Sequence, residues 1–82
     1  MDANQIKEKI LNTMSLVFEV PANEITEESS TDNVANWDSL RQLNLILALE
    51  DEFKISIPDE EVGNMVNYRI IFYVVSDALK NG

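Results

Sequence analysis

Between Ser39 and Phe53 the chain runs without a glycine or proline, and its leucines and isoleucines fall on two opposite sides of any helix built from it. At roughly 100° per residue, Leu45, Ile46, Leu49 and Phe53 share one face, while Leu40, Leu43 and Leu47 lie almost opposite. With 82 residues the chain can hold one domain, and at this size folding buries only roughly 60% of the unfolded surface. A helix apolar on both sides must then either be surrounded by its neighbours or leave one stripe in solvent. An open stripe with Glu50 and Asp51 at its edges suits reversible docking of a partner with a basic rim.

The flanking segments supply neighbours for that helix. Asp2 and Gln5 form a capping-box pattern ahead of Ile6, Ile10, Met14, Val17 and Phe18 at helical spacing, which predicts a helix over 3–18 ended by Pro21. Residues 22–36, rich in Asn, Glu, Thr and Ser, have no sustained period apart from anchors at Ile25 and Val34, and read as a long, partly ordered loop. Loops of this length are often functional, and this one leads directly to Trp37. Pro58-Asp59-Glu60-Glu61 reads as a short helix start limited by Gly63. The β-branched run Ile70–Val75 would suit a strand by propensity. A lone strand would have no partner, whereas Tyr68, Ile71, Phe72, Val75 and Leu79 share a helical face, so a final helix capped by Asn67 is expected over 68–80. The fold class is all-α: a four-helix bundle with a long first loop and a short third helix, residues 1–82 forming a single domain.

The chemistry converges on Ser39. Asp38 is a good N-cap, which puts Ser39 in the first turn with its hydroxyl beside unpaired backbone N–H groups and the positive end of the helix dipole. A phosphate is well received there, so Ser39 is a natural attachment point for a phosphodiester. Six basic against fifteen acidic residues give a net charge of −9, which disfavours nucleic acid and anionic membranes and favours basic protein patches. With no Cys and no His, disulfides and the usual zinc sites are excluded. No apolar run approaches the ~20 residues of a membrane span, and charges interrupt any signal-peptide core, so a cytoplasmic monomer without membrane insertion is the expectation.

Together, Asn23-Glu24-Ile25-Thr26, Asp38-Ser39-Leu40, Leu49-Glu50-Asp51-Glu52-Phe53 and Ile55-Ser56-Ile57-Pro58 make the chain resemble the acyl carrier proteins over nearly its whole length. That resemblance implies phosphopantetheine on Ser39, transferred from coenzyme A by a carrier-protein synthase, with acyl groups held on its terminal thiol as thioesters. It implies a non-catalytic carrier whose Leu40, Leu43, Leu47, Glu50 and Asp51 dock acyl-loading, elongating and transferring enzymes through their basic patches. Asp38 and Trp37 flank the attachment point, with Trp37 expected to anchor the loop more than to line the arm. Trp37, Arg41 and Asn44 depart from carriers of central fatty acid synthesis. Arg41 and Asn44 are expected to weaken the negative field near Ser39, and a specialised polyketide, modified-lipid or surface-polysaccharide pathway becomes plausible.

Two other classes compete with the carrier reading. A protein-binding helical adaptor would use the acidic rim and leucine stripe but not Ser39. A hydrolase with Ser39 as nucleophile lacks a histidine base and the nucleophile-elbow glycines. Calcium binding by Asp51, Glu52, Asp59, Glu60 and Glu61 lacks an alternating ligand loop with a central glycine, and these acids read as a solvated face and a helix start.

Overall fold

The computed structural model describes residues 1–81. Helix α1 spans Ala3–Phe18, a 3₁₀ turn Ala22–Glu24, α2 Ser39–Phe53, α3 Asp59–Val62 and α4 Tyr68–Asn81. The architecture is the expected helical bundle, with α1 packed chiefly on α2 and also on α4.

Local signals place the helix starts. The capping box forms at α1: Gln5 N donates to Asp2 Oδ1 at 2.9 Å and Asp2 N donates to Gln5 Oε1 at 3.0 Å. At α4 the Asn67 Oδ1 accepts the Ile70 N–H at 2.9 Å, and the β-branched run is helical because one helical face buries Ile71, Val74 and Val75. Both long helices that precede loops end in the left-handed region without glycine, at Glu19 (φ 57°) and Lys54 (φ 56°).

The core gathers Ile10, Met14 and Phe18 from α1, Leu45, Leu49 and Phe53 from α2 and Ile71 and Val75 from α4. Ile25 and Val34 enter from the first loop, and Ile57 and Met65 from either side of α3. On α2 only the Leu45, Ile46, Leu49 and Phe53 face is buried. The opposite stripe of Leu40, Leu43 and Leu47 stays open.

Residues 22–36 are more tightly bonded than a partly ordered loop. Ser29 Oγ accepts the Thr26 N–H, Thr26 Oγ1 the Glu28 N–H and Asn33 Oδ1 the Ser30 N–H. These short side chains satisfy the backbone locally, which periodicity cannot register. The loop is also stitched to the segment before α4: Thr31 N donates to Val66 O at 3.0 Å and Tyr68 N to Ser29 O at 2.9 Å, around an isolated bridge pairing Ser30 with Asn67. No helix among the described residues is long and apolar enough to cross a membrane.

Candidate functional site

Ser39 is the first residue of α2 and is exposed. Asp38 supplies the cap from an extended backbone (φ −108°, ψ −177°), with Oδ1 accepting the Arg41 N–H at 2.9 Å and its carbonyl accepting the Gln42 N–H at 2.8 Å. The N–H groups of Ser39 and Leu40 have no intrahelical acceptor, as in any first turn, and together with the helix dipole they favour an anion at the serine.

The residues around Ser39 are fastened to the end of α1. Trp37 is 7% exposed, its ring centroid 4.7 Å from that of Phe18. Asn36 Nδ2 donates to Phe18 O at 2.8 Å. Arg41 Nη1 donates to Val17 O at 2.6 Å, and Nη2 to Glu19 Oε2 at 2.7 Å. Two carbonyls of the last turn of α1, which a helix end leaves without partners, are thus satisfied by side chains from either side of Ser39. Ser39 stands on a braced platform.

This geometry revises the expected role of Arg41. Its guanidinium lies back on α1 and is matched by Glu19, so its charge is directed away from Ser39; Asn44 is simply exposed. Trp37 anchors the loop as expected and also presents an edge to the groove beside Ser39. That groove, of about 580 Å³, is bounded by Trp37, Ser39, Gln42, Leu43, Val62 and Val66.

Leu40, Leu43 and Leu47 are 68%, 56% and 65% exposed, forming a continuous apolar stripe that starts at the serine. Asp51 is exposed farther along α2, 3.7 Å from Lys54 Nζ. Glu50 is half-buried and bends inward, its Oε2 accepting the Ile57 N–H at 2.8 Å. It therefore braces the turn into α3 as well as edging the stripe. A hollow of about 670 Å³ between Glu50, Pro58, Tyr73 and Asp77 does not include Ser39.

Gln42 is the site residue that sequence reasoning missed. A buried indole N–H needs an acceptor, and Gln42, five positions on, was one available signal. Its bonds to Val62 and Met65 had none.

An exposed serine at a capped helix start, an open groove and a leucine stripe define a carrier domain, and comparison with known proteins agrees. The family model described as phosphopantetheine attachment site matches residues 8–66. Polyketide-8 synthase acyl carrier protein 1 of Streptomyces avermitilis is 33% identical over 75 residues, 92% of this chain and 89% of the relative. The acyl carrier protein of Clostridium acetobutylicum is 42% identical over 67 residues, 74% of this chain and 87% of the relative. The solution structure of a holo acyl carrier protein from Geobacter metallireducens superposes with a TM-score of 0.80 at 27% identity, covering 92% of this chain and 86% of that one.

The chain belongs to the phosphopantetheine-attachment family and is an acyl carrier protein. Phosphopantetheine is its prosthetic group, and the exposed helix start with the groove beside it has the room and the donors that such a group requires.

Proposed function

We propose that Ser39 is the attachment residue and that residues 1–82 act as one carrier unit, itself non-catalytic, presenting acyl thioesters to separate enzymes. The support is the position of Ser39: its hydroxyl is exposed at the first residue of α2, inside the matched family region and at the rim of the groove. A carrier-protein synthase joins the Ser39 oxygen to the phosphorus of coenzyme A's pantetheine phosphate, breaking the pyrophosphate bond and releasing adenosine bisphosphate. The hydroxyl proton passes to a base on the synthase. Once attached, the group supplies a terminal thiol for thioester formation.

Asp38 holds the first turn in place while Ser39 Oγ stays free, and the platform of Asn36, Trp37 and Arg41 keeps that turn rigid against α1. Leu40, Leu43 and Leu47 form the apolar part of the docking face, with Asp51 and the edge of Glu50 supplying negative charge. Weak, charge-steered docking is sufficient, because the tether gives the cargo a high effective concentration at each docked enzyme. The polyketide relative, together with Trp37 and Asn44 beside the serine, favours a specialised acyl pathway such as polyketide or modified-lipid assembly over central fatty acid synthesis.

Intact-mass measurement after incubation with coenzyme A and a broad-specificity carrier-protein synthase tests the attachment, with Ser39→Ala as control. A gain of one phosphopantetheine that the control lacks is the expected result. No gain from a chain with native circular dichroism would overturn the assignment of Ser39.

A further inference from the structure

The groove beside Ser39 has largely apolar walls, with the half-buried Gln42 among its lining residues. Trp37, Leu43, Val62 and Val66 form the walls, and Ser39 stands on the rim. One turn beyond Ser39 on α2, the Gln42 amide has its oxygen and its nitrogen both engaged. Its Oε1 accepts the Trp37 indole N–H at 2.6 Å, and its Nε2 donates to Val62 O at 2.7 Å and Met65 O at 3.1 Å. The orientation of the amide is dictated by its partners, since an indole N–H only donates and a carbonyl only accepts.

These three bonds tie the loop, α2 and the end of α3 into one layer between the groove and the core. The Met65 and Ile71 side chains behind that layer are completely buried. A chain pushing deeper between α2 and α3 would have to part all three bonds. The indole N–H and two carbonyls, part-buried as they are, would then lose their protein partners, at some desolvation cost for each group. An apolar chain cannot replace any of those bonds.

We propose that Gln42 is a specificity-determining residue of this carrier: its ties from α2 to Val62 and Met65 set how deep the acyl end of the group tethered at Ser39 can reach from the groove. Short acyl chains are sheltered between Leu43, Val62 and Val66, and longer ones project into solvent. This rests on the reading of Ser39 as the attachment residue. The occupant follows from the tether, because an arm anchored at the rim gives its distal acyl end a high effective concentration at the groove, and the acyl chain is the apolar end that matches its walls.

The test loads the wild-type chain from butyryl-, hexanoyl-, octanoyl- and dodecanoyl-coenzyme A, and records amide chemical shifts and urea unfolding of each form. In the wild type, shifts should concentrate at Leu43, Val62 and Val66, leaving Met65 and Ile71 unmoved at every length. Each sheltered methylene should shift the unfolding equilibrium by roughly fourfold, and this gain should level off by octanoyl. In Gln42→Met, which keeps the length and removes the amide, the gain should continue to dodecanoyl and the shifts should reach Met65 and Ile71.

A wild-type gain that continues to dodecanoyl, or shifts at Met65 and Ile71 in the wild type, would overturn the role of Gln42. So would an acyl series that leaves the groove residues unmoved. If Gln42→Met loses native circular dichroism, Trp37→Phe, which deletes the indole donor but keeps a ring, replaces it, and the wild-type series still decides. Loading is read by mass against Ser39→Ala. A chain that gains no mass overturns the attachment at Ser39 and this proposal with it, whereas a loaded chain without the plateau overturns Gln42 alone.

Discussion

Replacing Arg41 by methionine removes the guanidinium while keeping most of the aliphatic stem, and so isolates the brace between α1 and the Ser39 turn. Three contributions are lost. The bond from a charged donor to Val17 O belongs to a class contributing about 1.5–3 kcal/mol, and the lower end applies because the Arg41 side chain is 28% exposed. The pair with Glu19 adds about 0.5 kcal/mol at most, as Glu19 is 69% exposed and screened by solvent. The attraction of the cation to the negative end of α1 overlaps with the carbonyl bond and is not counted twice. The expected loss is about 2 kcal/mol, a roughly thirtyfold change in the unfolding equilibrium. For a domain of this size the melting temperature should fall by about 8–16 °C. Urea denaturation followed by circular dichroism measures the loss, and Glu19→Gln gives the reference, expected to lose no more than about 0.5 kcal/mol. A loss under about 0.5 kcal/mol for Arg41→Met, or an equal loss for Glu19→Gln, would refute the view that the Val17 carbonyl bond carries the brace.

Leu47→Asp should lower turnover by partner enzymes while leaving the unfolding midpoint nearly unchanged, because the side chain is exposed and surface substitutions usually stay within about 0.5 kcal/mol; native turnover would remove the proposed docking face. Lys54→Gly should stabilise the fold by up to about 1 kcal/mol, since the left-handed backbone at φ 56° costs a residue with a Cβ about 1–2 kcal/mol and the greater freedom of glycine in the unfolded chain offsets part of the gain. A loss in urea denaturation would refute that account. Burial, aided by the Glu27 carboxylate, raises the Tyr68 hydroxyl above its ordinary value of 10.0. The native state therefore favours the neutral phenol, so this stabilisation is complete below pH 10 and is lost as pH rises through the folded-state value. Tyr68→Phe should flatten the stability profile above that pH, and an unchanged alkaline slope would count against it.

What could be read in advance were features whose cause is local. Asp2 with Gln5, Asp38 and Asn67 each act on a backbone group within three residues, so the helix starts followed from adjacent side chains. The two faces of α2 followed from spacing alone, and spacing also outweighed the strand propensity of Ile70–Val75. The ordering of the first loop was less legible, because its many local turns are held by short polar side chains without a period and two further backbone bonds reach across to Val66 and Tyr68.

Spacing left open which leucine stripe meets water, and three side chains took roles that spacing could not show. Arg41 reaches Val17 and Glu19, Gln42 reaches Val62 and Met65, and Glu50 turns back to Ile57. Each has a polar group at the end of a flexible stem, whose partner depends on which distant backbone atoms are unsatisfied nearby. The sequence by itself determined that Ser39 opens a capped amphipathic helix in an acidic bundle, because caps and periodicity act over a few residues. Only the tertiary structure decided that this helix start is braced on α1 and that Gln42 ties α2 to Val62 and Met65 beside the groove, because both depend on helix ends that meet only when the bundle closes.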